Sequence, residues 1–345
     1  MVLNDKNKII SEINNLLDEE GFKTSNVYGK SCFDMFARKN FLLLLLKVLV
    51  NIDSVNGSHV HEIKKISNTF FASPLLVGLK SKNSLLEDGV VYERHGVSAI
   101  GLETLKNIIV HGEYPEVLSD RGGYYVQIDG NILKEFRNDY SFSLKELADL
   151  VKVSRETIYN YENNLSRANT ETTMLLEELL NMKITLDIDV FKPKQFEIKE
   201  ENFESNFNSS INSDVNSSIN PQKNLKNDFS KDLFHDKTKN LEDLGLGVIS
   251  TKKTPFDALA KIEGKKLNSS FITSLEENMS ERTMQKVAIS LKDLSLVTGS
   301  QSFFIINDEK FKVSFDGIPV ISSWEIKELE NTNEFLKIVK EREDS

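Results

Sequence analysis

The sequence predicts a multidomain α+β protein in which a bundle of four to five short helices separates two related α+β domains. Three observations carry this. Strand-like apolar runs and helical spacings succeed each other over residues 1–127 and again over 246–345. Four short helical patterns occupy residues 128–190. Landmarks of the first domain recur in the last at nearly the same separation.

A chain of 345 residues exceeds one small domain and fits two or three. Its 39% apolar and 28% charged residues are those of a soluble globular protein. One cysteine, Cys32, excludes an internal disulfide framework, and with five scattered histidines it does not supply a tetrahedral zinc pattern. The expectation is a reducing, cytoplasmic setting with no cofactor. Met1 to Glu20 lacks the apolar core of a signal peptide. The apolar run Phe41 to Val50 is shorter than the roughly 20 residues of a membrane helix and is broken by Lys47, so a buried strand is expected and no membrane contact. The net charge of -10 means that any contact with nucleic acid must use a local basic patch.

In chain order, Ile9, Ile10, Ile13, Leu16 and Leu17 give residues 5–20 an amphipathic helix, ended by Gly21. The sheet it covers is expected from Ser31 to Arg38, Phe41 to Val50 and Pro74 to Leu79, with a helix over 58–72. Val90 to Glu93 and Val97 to Ile100 form a hairpin through Arg94, His95 and Gly96, followed by a helix over 101–110. Residues 191–245 are expected to be a flexible linker, because the Asn- and Ser-rich stretch from Phe196, including Asn206 to Asn220, cannot bury enough apolar surface to offset the entropy of ordering it. Beyond it, Ser280 to Ser295 reads as a helix and Phe303 to Ile306 as a strand. Phe33-Asp34-Met35-Phe36-Ala37-Arg38 matches Phe256-Asp257-Ala258-Leu259-Ala260-Lys261, and Gly96-Val97-Ser98-Ala99-Ile100 matches Gly317-Ile318-Pro319-Val320-Ile321. Similar residues at similar separation point to one fold used twice.

The central bundle carries the most specific pattern. Ile132, Leu133 and Phe136 give the first helix an apolar face. Ser143-Leu144-Lys145-Glu146 is a capping box opening the second, whose Leu144, Leu147, Ala148 and Val151 form one stripe. Val153 fills a turn, and Ser154 caps a third helix with Ile158 and Tyr161 inward. A fourth helix, Thr170 to Leu180, closes the bundle with Met174, Leu175, Leu176 and Leu179.

At these residues the segment resembles the helix-turn-helix domain of phage repressors and Cro, with the motif over Ser143 to Asn163. The resemblance implies that the helix from Ser154 enters the major groove of double-stranded DNA, presenting Arg155, Glu156, Thr157, Tyr159, Asn160 and Asn163. Arg155 then suits guanine and Asn160 adenine. Lys145, Lys152 and Arg167 are placed to hold phosphates, and Ser143 and Ser154 sit at the helix starts facing the DNA. Two residues depart from the pattern: Lys152 stands where many members have Gly, and Leu144 where many have Gln. The segment also holds fewer basic than acidic residues, which weakens its basic footprint.

The first domain points to a second chemistry. Phe33-Asp34 and Lys47 resemble the metal-dependent restriction-endonuclease-like fold, in which an Asp and an acid-x-Lys pair hold Mg²⁺ and activate water. Here Leu45 stands where the second acid belongs, and after Asp257 no clear acid-x-Lys triplet follows, with Asn268 to Ser270 rich in Asn and Ser. Both domains are therefore read as non-catalytic nuclease-like folds, serving dimerisation, ligand sensing or DNA-shape recognition. The alternative is a metal-dependent DNA nuclease, or a nuclease-associated protein, targeted by its helix-turn-helix; Asp53 or Glu62 would then complete the site. Asp34 and Asp257 are expected to hydrogen-bond a turn, and His59 with His61 to serve a loop or helix cap rather than a metal.

The whole layout resembles an archaeal family of helix-turn-helix transcriptional regulators of unassigned target, through Val90-Val91-Tyr92-Glu93-Arg94 with Gly96 and Pro255-Phe256-Asp257 with Ala258. The resemblance implies a non-enzymatic regulator, a homodimer on double-stranded DNA, and an effector that the sequence does not identify.

Overall fold

The computed structural model describes residues 2–198, 239–262, 270–274, 280–306 and 313–343. By its contacts the chain divides into two compact units: Met1–Thr24, Ala37–Val60 and Ser73–Lys192 form one, and Ser25–Phe36, His61–Ala72 and Pro193–Ser345 the other.

In the first unit helix α1 (Val2–Glu19) buries Ile9, Ile10, Ile13 and Leu17, and Gly21 beyond its end takes a φ of 77°, which costs glycine nothing. The sheet runs β1 (Lys23–Thr24), β2 (Met35–Lys39), β3 (Leu42–Asn51), β4 (Ser73–Ser81), β7 (Val97–Gly101), β6 (Val90–Arg94), β8 (Val117–Asp120), β9 (Gly123–Val126) and β10 (Ala168–Asn169), with β5 (Ser84–Leu85) on β4. Strands β3, β4 and β7 are parallel. Leu43 to Leu46 are almost wholly buried, as a parallel strand covered on both faces requires. Phe41 differs from the expected buried strand. It follows Asn40, whose φ is 54°, in the β2–β3 turn, and it is fully exposed. Helix α2 (Gly57–Phe70), whose residues from His61 on belong to the second unit, joins β3 to β4, and α3 (Leu102–Lys106) follows β7 and continues in a single wide turn, Asn107–His111.

In the second unit the sheet order is β11 (Leu246–Ser250), β12 (Ala258–Ile262), β13 (Ser270–Ser274), β14 (Gln301–Ile306), β16 (Ile318–Ser322) and β15 (Ser314–Phe315). Helix α8 (Glu281–Thr298) joins β13 to β14, and α9 (Ser323–Glu328) and α10 (Thr332–Glu343) follow. Phe271, Phe303 and Phe335 meet edge to face in its core. The expected linker lies, over 199–238, outside the described residues. Leu241 and Leu244, inside the expected linker bounds, are buried in this core instead.

The two α+β domains share one topology. The order β11-β12-β13-β14-β16-β15 repeats β1-β2-β3-β4-β7-β6, with the same parallel central pairs and antiparallel edges. Asp34 and Asp257 stand immediately before β2 and β12, and Gly96 and Gly317 before β7 and β16. Leu105 and Ile326, on the helices that follow, are both buried. The Asp257 carboxylate accepts from the Ser274 hydroxyl at 2.7 Å, at the end of β13.

The helix-turn-helix segment belongs to the first unit. Helices α4 (Gly130–Asp139), α5 (Leu144–Leu150), α6 (Arg155–Glu162) and α7 (Thr170–Leu180) enclose Leu133, Leu147, Ala148, Val151, Ile158, Tyr161, Leu176 and Leu180. Helix α7 turns differently from expectation. It buries Thr172, Thr173, Leu176 and Leu180 and leaves Met174 70% exposed and Leu175 38% exposed, because one stripe of a 3.6-residue helix cannot hold both sets.

Candidate nucleic-acid interface

The interface is built from caps. Asp129 accepts from the amides of Asn131 and Ile132 and starts α4. The Ser143 hydroxyl accepts from the Glu146 amide at 3.2 Å while Glu146 accepts from the Ser143 amide at 2.7 Å, the reciprocal arrangement that satisfies two orphan donors of α5. The same bonds hold the Glu146 carboxyl below its ordinary range. Ser154 accepts from the Thr157 amide at 3.0 Å and starts α6, and Asn169 caps α7.

Two close contacts seat α6 on the bundle. Gly130 lies against its C-terminal end, where a Cβ would meet the Tyr161 carbonyl oxygen at 2.4 Å and that of Glu162 at 2.6 Å, so no larger residue fits without displacement. Ala148, 1% exposed, is the small residue where α5 meets α6. Between them Lys152 takes a φ of 58°, the left-handed conformation for which glycine is better suited.

This seating leaves one side of α6 outward. Arg155, Glu156, Tyr159 and Asn163 are exposed, and Thr157 and Asn160 partly so. Their availability differs. Asn163 donates its amide to the Tyr159 carbonyl at 2.7 Å, and the Thr157 hydroxyl shares a 2.8 Å bond with Ser154, so both are already engaged. Among the described residues the side chains of Arg155 and Asn160 have no partner. Lys145, Lys152 and Arg167 are likewise exposed, with no ion pair among the described residues. Four acids of the segment are instead committed within the bundle: Asp129 and Glu146 to caps, Glu162 to Arg137, and Glu177 to Thr185 and the Ile184 amide. The other acids of the segment, Glu135, Asp139, Asp149, Glu156, Glu171 and Glu178, are exposed like Lys145, Lys152, Arg155 and Arg167, so the outward surface carries charges of both signs.

The nuclease-like residues are arranged otherwise. Asp34 is fully buried, and Leu45, 1% exposed, occupies β3 opposite Pro74. Lys47 is 6% exposed. Glu62, on α2, pairs with Lys65 at 3.1 Å and accepts from the Lys252 amide at 3.0 Å. Asp53 pairs with Arg94, bonds the Ser81 hydroxyl and the Lys82 amide, and is held below its ordinary pKa by those bonds against the opposing effect of burial. His59 and His61 lie two residues apart on α2, a spacing that turns them to different faces. Among the described residues no group of three or more His, Cys, Asp and Glu side chains is placed to hold a metal ion. Two residues before Lys47, where the acid-x-Lys pattern expects an acid, the buried Leu45 offers no oxygen ligand.

Comparison with known proteins finds a match over each of the two segments. Residues 6–115 match the PD-(D/E)XK superfamily domain, and residues 133–186 match the Helix-turn-helix family. The chain is 50% identical over 344 residues, 99% of each chain, to a protein of Methanobrevibacter smithii named "Putative HTH-type transcriptional regulatory protein". Relatives described in the same words are 48% identical in Methanothermobacter thermautotrophicus, over 97% of this chain and 96% of theirs, and 33% identical in Methanocaldococcus jannaschii, over 96% of each. No solved structure matches the chain.

Proposed function

Because the chain belongs to the archaeal family of HTH-type transcriptional regulatory proteins, we propose that it regulates transcription by binding specific double-stranded DNA sites, with α6 in the major groove. The observation that carries this reading is the outward side of α6, where Arg155 and Asn160 have no partner among the described residues, on a helix locked by the Ser154 cap and the Gly130 contact. Arg155 is suited to guanine and Asn160 to adenine, while Glu156 is suited to accept from cytosine. Lys145, Lys152 and Arg167 supply salt-sensitive affinity for phosphates. Residues 128–190 are the DNA-binding domain in this reading. The protein acts as a cytoplasmic homodimer on palindromic sites, because two-fold operators mirror two-fold proteins. The flanking α+β domains serve dimerisation, effector sensing or shape recognition and not catalysis.

The match of residues 6–115 to a nuclease superfamily favours a second reading, DNA cleavage targeted by α6. Leu45 and the engaged Glu62 weigh against it, because magnesium-assisted hydrolysis draws on more than one carboxylate. Genome-wide recovery of DNA bound to the intact protein separates the two. Enriched palindromic sites support a regulator, whereas dispersed cleavage overturns it in favour of a nuclease.

A further inference from the structure

The hairpin of β8 and β9 joins the first α+β domain to the helix-turn-helix, and its geometry gives it a role of its own. Its register pairs Val117 with Val126 and Asp120 with Gly123, leaving Arg121 and Gly122 as a two-residue turn. Gly122 has a φ of 94°, and the Asp120 carboxylate accepts from the Arg121 amide at 2.6 Å, so the tip is shaped by its own bonds. Strand β9 also pairs with β10, Val126 against Ala168 and Tyr125 against Asn169. That pairing fastens the hairpin to the short segment between α6 and α7. Val126 and Ala168 are buried in the same core as Ile158 and Tyr161. The hairpin is therefore held in fixed relation to α6.

A groove of about 510 Å³ lies along this junction, lined by Asp120, Arg121, Gln127, Asn164, Ser166 and Arg167 among others. Arg121 comes from the hairpin tip and Arg167 from the loop that leaves α6. Both are exposed, and neither has an ion pair among the described residues. Asp120, the acid beside them, has one oxygen committed to the turn. Asp120, Arg121 and Arg167 also border a larger cleft of about 740 Å³ that includes Lys82 and His95, the Asp53-paired Arg94, and the acids Glu87 and Glu93. An open polar groove with two guanidinium groups and neutral amide and hydroxyl donors suits a phosphodiester backbone, since most protein–DNA hydrogen bonds go to phosphate oxygens and sugars.

We propose that the β8–β9 hairpin is a second DNA contact of this protein, in which Arg121 and Arg167 together hold the phosphate backbone beside the groove entered by α6. The proposal rests on the reading of α6 given above, and it assigns the hairpin to sequence-independent affinity.

The test uses the full chain and a random-sequence duplex, titrated over a series of salt concentrations. Arg121→Ala should weaken binding about tenfold, as expected for loss of a charge-assisted hydrogen bond, and should lower the slope of log affinity against log salt by about one. Arg121→Lys should restore the slope, because a phosphate accepts a point charge. Unchanged affinity and slope in Arg121→Ala, with Asn160→Ala still losing site preference, would overturn the hairpin contact and leave α6 as the reader. A loss confined to a preferred site would overturn the phosphate assignment. An intact protein that binds no duplex overturns both readings together.

Discussion

Arg137 in α4 and Glu162 at the end of α6 form a two-pronged ion pair, with Arg137 Nη2 3.2 Å from Glu162 Oε2 and the Glu162 side chain 4% exposed. The same guanidinium donates from Nη1 to the Phe142 carbonyl at 3.1 Å. One side chain thus ties together the first helix, the approach to α5 and the end of the proposed reading helix.

Removing one partner of a buried pair costs about 3–5 kcal/mol, an upper bound for Glu162→Ala because Arg137 is 16% exposed, whereas replacing both with apolar residues is often close to neutral. Glu162→Ala should therefore strip hydrogen-exchange protection from the α6 amides, and the pair Arg137→Met with Glu162→Leu should recover most of it. Full protection in the single variant would show that the pair does not hold α6.

Lys152→Gly should act in opposite directions on stability and binding. Relief of the left-handed backbone is worth about 1 kcal/mol to the bundle, so exchange protection in α5 and α6 should rise. Loss of the ammonium should lower the salt slope of DNA binding by about one.

Asn160 lies on α6 and Asn163 caps its C-terminal end, but only Asn163 is engaged, donating to the Tyr159 carbonyl. Asn160→Ala should cost about 1–3 kcal/mol on the preferred site and little on random DNA. Asn163→Ala should leave the preference nearly intact. A filter-binding titration in which Asn160→Ala loses equally on both sequences would remove it from base reading.

In the second unit, hydrogen bonds from Arg342 and the Ser322 amide outweigh burial and hold the Glu325 carboxyl below its ordinary value of 4.5. A depressed carboxylate stabilises the fold above its unfolded pKa, and that contribution fades as pH falls through the folded one. Arg342→Met should therefore lower the thermal midpoint at neutral pH, and its gap from the native protein should narrow in acid. A gap independent of pH would assign the Arg342 contribution to packing.

Purified protein with Mg²⁺ or Mn²⁺ should leave supercoiled plasmid intact, given Leu45 where an acid-x-Lys pattern ending in Lys47 expects the acid. Metal-dependent nicking abolished in Asp34→Ala would mean that another carboxylate completes a site.

Much of the bundle was legible because its signals are local. Ser143, Ser154 and the stripe from Leu147 to Val151 act within one or two helical turns, so their spacing carries their structure. The Phe-Asp and Gly landmarks likewise anticipated the repeated topology, because each sits at the start of a strand. The β8–β9 hairpin carried only a weak signature, Gly122 in the turn and Gly123 opening the second of two strands of four residues each.

By itself, then, the sequence determined where helices start, which landmarks recur and which residue types α6 presents, since caps and periodicity depend on neighbours within a few residues. Only the tertiary structure decided that α7 turns Met174 outward, that Arg137 meets Glu162, and that β9 pairs with β10 to bring Arg121 and Arg167 to one groove. These relationships join residues distant in the chain or choose between faces of one helix, and packing and strand pairing settle such choices where local spacing does not.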